Sequence, residues 1–224
     1  MRQHKDKAII LSRVDYAEKD RILTVLCKQQ GTVSLLAKGV RSEKSRLAGG
    51  IELLSDSDIN FVEGKTNLMT LTAARLVVHY GELTKNIQRM QQAFDHIKTV
   101  NTVADEGGGQ EFCDILLGAM SALNDDSYDP RLIDIWFSLR ILEVSGSVPN
   151  LALDADTEIN SFNFNYDAQQ FVPVEGGAFS RNDLKLLRLC ISQAKPPKIQ
   201  NKLGSEERLQ ALTRLLLKTN VTEV

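Results

Sequence analysis

Apolar positions cluster in short runs along the first third of the chain. Lys7-Ala-Ile-Ile-Leu-Ser-Arg-Val14 and Arg21-Ile-Leu-Thr-Val-Leu-Cys-Lys28 are joined by the polar connection Asp15-Tyr-Ala-Glu-Lys-Asp20. Gly31 breaks the second run and opens a third, Thr32-Val-Ser-Leu-Leu-Ala37. Runs of this length between turn residues predict strands. Ile51-Glu-Leu-Leu54 and Asp58-Ile-Asn-Phe-Val62 read as one long or bulged strand. Residues 63–67 are expected to form a turn, because Gly64 and Asn67 accept its dihedrals. Leu68-Met-Thr-Leu-Thr-Ala73 with Arg75-Leu-Val-Val78 makes the fifth run. Five short strands in about 75 residues predict a Greek-key barrel of the OB-fold type, with an SH3-like barrel as the nearest competitor.

From about His79 the apolar period lengthens. Ile87, Met90, Phe94, Ile97, Val100 and Val103 recur at helical spacing and predict one buried face, ended by Glu106-Gly-Gly-Gly109. Phe112, Leu116, Ala119, Met120 and Leu123 predict a second helix. Asp129-Pro130 starts a third, in which 132–144 is apolar almost all round, as in a helix buried on several sides. Between 146 and 177 Gly, Pro and short aromatic pieces read as an irregular insert with one or two short strands. Ser180-x-x-Asp183 is a capping box ahead of a helix on Leu184, Leu187 and Ile191. Ser205-Glu-Glu207 opens a last helix on Leu209, Leu212, Leu215 and Leu216. The expected class is α+β: an OB-fold barrel over 1–80, then a mainly helical domain over 81–224 with the insert at 147–178.

Composition excludes more than it selects. Hydrophobic residues are 42% and charged residues 25% of the 224, ordinary for a globular chain. The apolar run at the amino terminus is far shorter than a signal core, and no stretch approaches the roughly 20 apolar residues of a membrane span. A cytoplasmic protein is expected. The three cysteines, Cys27, Cys113 and Cys190, are far apart and sit in apolar runs. They read as buried reduced thiols, not as a disulfide framework or zinc ribbon.

The net charge of −2 hides an asymmetry. Residues 1–50 carry eleven Lys/Arg against five Asp/Glu, whereas 51–224 carry sixteen against twenty-four. A basic first third points to a polyanion. Its sharpest feature is Lys38, Arg41, Lys44 and Arg46, opposed only by Glu43, with Gly39, Ser42 and Ser45 between them. A flexible loop lets such cations track a phosphate chain. Arg13, Lys19, Arg21 and Lys28 extend the patch. Tyr16, Phe61 and Tyr80 are the aromatics available for stacking, but with aromatics at 6% of the chain contact is expected to be mostly to the backbone and weakly sequence-specific.

Catalytic readings find no footing. Asp15, Glu18 and Asp20 are interleaved with Arg13, Lys19 and Arg21, so they read as a salt-bridged hairpin end and not a metal site. His4, His79 and His96 lack ligand spacing, Gly107-Gly-Gly109 lacks the Lys-Ser/Thr of a phosphate loop, and no Gly-x-Ser-x-Gly element occurs. No cofactor, metal or enzymatic activity is expected. An RNA-binding OB protein, a protein-binding scaffold and a nuclease are the alternatives to a DNA-binding protein.

Asp15-Tyr-x-Glu18, Asp20-Arg21, Gly31, Ala37-Lys-Gly39 and Lys44-Ser-Arg46 resemble the amino-terminal domain of the bacterial recombination mediator RecO. The resemblance covers the whole chain, is strongest over 7–54, and returns at Leu142-Glu-x-x-Gly146 and Pro149-Asn-Leu151. It implies an OB-fold, a helical domain and a late insert that often carries a four-cysteine zinc site. Here Ala-Leu-Asp-Ala-Asp156 follows Leu151 and no cysteine occurs before Cys190, so a zinc-free insert held by Phe162, Phe164 and Phe171 is expected. The resemblance further implies DNA repair and recombination after DNA damage, near the nucleoid. It implies binding of single- and double-stranded DNA, annealing of complementary strands, and partnership with RecR. It also implies contact with the acidic tail of single-stranded-DNA-binding protein and help in loading RecA. Arg140, Lys185 and Arg188, on the polar edges of buried helices, are the candidates for that tail.

Overall fold

The computed structural model describes residues 2–64, 68–104, 109–152, 158–199 and 204–222. They form two compact units, Met1–Asp125 and Asp126–Val224. The expected boundary at residue 80 marks the change from strand to helix, whereas the compact units divide later, so the first two helices belong with the barrel.

In the first unit β1 (Gln3–Tyr16), β2 (Asp20–Cys27), β3 (Gly31–Ala37), β4 (Ser55–Val62) and β5 (Met69–His79) close a barrel in the order β1-β2-β3-β5-β4. Only the β3–β5 pairing is parallel. This is the expected five-stranded barrel. β1 serves two neighbours, pairing with β4 over its first half and with β2 over its second. Ala8, Ile10, Leu23, Val25, Leu35, Ile59, Phe61 and Leu71 fill the interior.

Residues 51–54, expected as strand, are a turn. Leu54 takes a left-handed φ of +58°, and pairing with β5 begins only at Ser55. Gly50 lies directly against the Ala74 backbone, closer than any Cβ permits, so the chain crosses β5 here and does not run beside it. Ile51 is fully buried in the barrel.

α1 (Ile87–Val103) and α2 (Gly109–Leu123) lie on the outside of β1, β2 and β3. Ile9 and Leu26, paired across β1 and β2 on the outward side, are therefore fully buried. Burial from both sides is why residues 8–11 are continuously apolar, without the alternation of a strand with one wet face. The buried face of α1 differs from the one expected. It comprises Arg89, Gln92, Ala93, His96, Ile97 and Val100, while Ile87 is 76% exposed. The stripe is rotated because buried Arg89 donates to the carbonyls of Leu123 (3.0 Å) and Asp125 (3.3 Å). The expected stop between α1 and α2 falls mostly outside the described residues, and its last glycine, Gly109, instead begins α2.

Two contacts fasten the closed end of the barrel. Buried Asp6 accepts from the N–H groups of Gln29 (2.9 Å) and Gln30 (3.2 Å) in the β2–β3 turn. A Cβ on Gly109 would overlap the Cys27 carbonyl and the Gly31 backbone, so α2 starts flush against that turn.

The second unit is built on α3 (Pro130–Val144). Asp129 caps it by accepting from the Arg131 N–H (2.8 Å), and residues 132–139, 141 and 142 are all buried. α4 (Arg181–Ser192) and α5 (Glu206–Leu217) pack on it. The Ser180–Asp183 capping box is present. Ser205 does not cap α5; its hydroxyl donates to Asp183. Leu215, expected on the buried face of α5, is 43% exposed. The insert holds β6 (Ser161–Asn165) and β7 (Gln170–Pro173), and β8 (Phe179–Ser180), just after it, completes an antiparallel sheet in the order β7-β6-β8. Phe164 and Phe171 meet edge to face at 5.0 Å, and Phe171 and Phe179 at 5.4 Å. Phe162, Phe164 and Phe171 are buried, so aromatic packing holds the sheet.

Replacing Gly109 by Ala is expected to destabilise the first unit by about 2 kcal/mol, the scale of an overpacked contact between backbones. Gly49→Ala, whose Cβ meets nothing within 4 Å, serves as the control. Urea midpoints of the two variants check this; equal midpoints would show that α2 shifts at no cost.

Candidate nucleic-acid interface

The β1–β2 turn and the segment after β3 meet at one end of the barrel. Ala17 holds a left-handed φ of +51° in the turn, and Asp20 then starts β2. The Asp20 carboxylate accepts from the Gly39 N–H (2.7 Å), and the Arg41 N–H donates to the Lys19 carbonyl (3.0 Å). Gly39 has φ +62°, a conformation that costs glycine nothing, and it turns the chain there. Val40, the next residue, is 3% exposed and belongs to the barrel core. The basic loop is thus pinned by an apolar plug between Lys38 and Arg41. Further turns follow, with Ser42 and Ser45 N–H groups donating to the Gly39 and Ser42 carbonyls at 3.2 and 3.0 Å. The segment read as flexible is a chain of hydrogen-bonded turns.

Charge gathers over this mouth for a geometric reason. Arg13 pairs with Leu23, Asp15 with Arg21, and Arg21 with Ala37, so these charged residues continue the inward rows past the end of the packed interior. Asp15 sits between two guanidiniums, accepting from Arg21 Nε at 2.9 Å with Arg41 Nη2 at 3.6 Å. The Arg21 hydrogen bond, with the charges of Arg41, Arg21 and Arg13 adding to it, holds the Asp15 carboxyl below its ordinary range. Arg13 donates to Glu52 (2.7 Å).

The sequence-predicted cations therefore divide into two groups. Arg13, Arg21 and Arg41 are ion-paired. Lys19, Lys38, Lys44 and Arg46 are exposed and make no ion pair among the described residues. Lys28 does not join them. It lies at the other end of β2, seven residues or about 23 Å from Arg21, and pairs with Asp114 of α2 at 2.8 Å. Of the aromatics, Phe61 and Tyr80 are buried and only Tyr16 is open, at 50% exposure.

In the second unit Arg140 donates to the Ile191 carbonyl (3.0 Å) and pairs with Glu143, and Arg188 Nε donates to the Leu151 carbonyl (2.9 Å). Both guanidiniums hold backbone within the unit. Lys185 is exposed on α4. The three cysteines are free and buried, and burial pushes the Cys190 thiol up to about 12. Among the described residues no cluster of His, Cys, Asp and Glu is placed to hold a metal ion, and no helix is long and apolar enough to cross a membrane. The roles of Asp20 as loop anchor and Val40 as plug were not visible in the sequence. An acid just before a strand and a single Val between cations carry no local signal of a contact made across the barrel mouth.

Asp15 supplies a pH test. Its folded-state pKa is depressed, so its contribution to stability is present above the ordinary carboxylate value of about 3.9 and is lost as pH falls through the folded value. Arg21→Gln is expected to move the Asp15 titration upward toward that ordinary value, read by carboxylate NMR. A titration that stays where it is in the wild type would remove Arg21 as the cause.

Comparison with known proteins bears on residues 1–80, which match the family model described as "Recombination protein O N terminal". The DNA repair protein RecO of Heliobacterium modesticaldum is 33% identical over 70% of this chain and 56% of its own length. Its counterpart from Rubrobacter xylanophilus is 27% identical over 97% of this chain and 83% of its own length. That of Thermobifida fusca is 31% identical over 67% of this chain and 63% of its own length. The chain thus spans little more than half of the Heliobacterium protein. The match over the barrel identifies residues 1–80 with the amino-terminal domain of the RecO family, and relatives aligned far into the helices extend the similarity to RecO along the rest of the chain.

Proposed function

We propose that this protein is a recombination mediator in DNA repair, acting near the nucleoid without a chemical step of its own. It binds single- and double-stranded DNA with little sequence preference, anneals complementary strands and, with RecR, assists loading of the recombinase RecA. The observation that carries the reading is the group of exposed cations Lys19, Lys38, Lys44 and Arg46, unpaired among the described residues, on two turns fastened to each other at the mouth of an OB-type barrel. Names of relatives that are DNA repair proteins support it.

Physics supplies the mechanism. Cations on a pinned loop meet phosphates without first losing loop entropy, and each contact releases condensed counterions. Two strands held this way repel each other less, and their bases stay free to pair. Arg41 and Arg21 add to the field, although Asp15 neutralises part of it. In the helical unit Lys185 is the candidate for an acidic protein tail such as that of single-stranded-DNA-binding protein. Arg140 and Arg188 contribute there by holding the 191 and 151 backbone.

Replacing Lys38, Arg41, Lys44 and Arg46 together by Ala is expected to lower affinity for unrelated oligonucleotides alike, since phosphates carry no sequence. At about 0.7 per phosphate contact, the slope of log affinity against log salt shrinks by at most about 3. Annealing of complementary strands, assayed without metal or nucleotide, should fall in parallel. A folded variant with unchanged affinity and slope would show the loop to be inert.

A further inference from the structure

Outside the basic loop, one face of the barrel is open in part, with Val14 and Tyr16 exposed and Ile22 and Leu36 half-buried. Leu23, Val25, Leu35 and Ala37 point inward and are fully buried, so the alternate positions point outward. Val14 pairs with Ile22, and Ile22 with Leu36, making one outward apolar row across β1, β2 and β3. Tyr16 stands two residues beyond Val14 on the same face, opposite Asp20. At the other end of this sheet the outward pair Ile9 and Leu26 is fully buried where α1 and α2 lie against the strands. At the mouth end no element among the described residues of the first unit does the same, and Val14 and Tyr16 are 61% and 50% exposed.

The rim of this patch is cationic. Lys19 follows Tyr16 in the turn, and Lys38 follows Leu36 by two residues. Of the nearby acids, Asp20 is engaged with the Gly39 N–H and Asp15 with Arg21, while Glu18 in the turn and Glu43 in the loop are exposed and offset part of the positive charge. An aromatic ring on an apolar row, with unpaired cations at its edge, matches a strand whose base planes are open and whose phosphates lie alongside. A protein partner with an apolar face would leave those cations unused. Duplex DNA hides its base planes and would meet only the cations.

We propose that Tyr16, supported by Val14, Ile22 and Leu36, is a base-stacking platform for single-stranded DNA. The platform rests on the reading of the mouth as a DNA site and adds a means of telling single strands from duplex. Stacking on one base predicts that Tyr16→Ala weakens binding of an oligothymidine roughly tenfold. Tyr16→Phe should bind like the wild type, because the ring is kept. Affinity for an abasic strand of equal length and for duplex, and the salt slope, should not move.

Tyr16→Trp gives a direct readout: its fluorescence should be quenched by oligothymidine and not by the abasic strand. Unchanged oligothymidine affinity in Tyr16→Ala, or an equal loss on the abasic strand, would overturn the platform. So would indole fluorescence indifferent to the bases. In each of these cases the quadruple cation variant would still test the DNA site by itself. A wild-type protein that binds none of the three probes would overturn both.

Discussion

Strand β1 is the member on which the first unit depends. It bonds to β4 along one edge and to β2 along the other, with the register shifting between Ile10 and Ser12 as it passes from one role to the other. A closed barrel needs such a shared strand, and its central residues become core on both faces. Ala8 and Ile10 fill the interior while Ile9 lies under the helical layer. Past the shift the same strand has no helical cover and carries Val14 and Tyr16 out to the mouth. One strand thus links the stable end of the barrel to the end where a ligand would be met.

The two ends are held by different physics. At the closed end, backbone groups of the β2–β3 turn are satisfied by buried Asp6, and the turn is pressed by Gly109. Leaving the buried Asp6 carboxylate without those donors would cost far more than a surface bond gains. At the mouth, the contacts are an exposed carboxylate between guanidiniums and a few turn hydrogen bonds around Val40. Exposed ion pairs contribute little to stability, so their main effect is to orient cations. The arrangement leaves four cations without an ion pair among the described residues, where the backbone is already fixed.

The second unit follows a different plan. α3 is buried on nearly every side, and its Trp136 indole donates to the Gln193 carbonyl (2.9 Å) beyond the end of α4. Asp134, buried on the same helix, is met by Gln210 (2.8 Å) and Arg214 of α5. A charge placed in the middle of a buried helix is tolerated only when it is paired in this way. The same logic explains Arg140 and Arg188. These long cationic side chains at helix edges reach carbonyl groups of their own unit.

The sequence by itself determined the five strands, the change to helix near residue 80, the caps at Asp129 and Ser180, and the aromatic core of the insert. Each of these depends on local period or on residues within one turn, and both are written along the chain. It also located the basic segment, because charge is counted without coordinates. Tertiary structure alone decided the rest. Residues 51–54 became a turn because Gly50 has to cross Ala74, and the face of α1 rotated because Arg89 found carbonyl partners more than thirty residues away. Lys28 left the basic patch because a strand carried it to the far end and gave it Asp114. Tyr16 remained bare because the helical layer covers one end of the sheet and stops short of the other, whereas Phe61 points into the barrel interior. Contacts between residues distant in sequence leave no periodic trace, so which cations stay free and which aromatic stays open are settled only when the barrel closes.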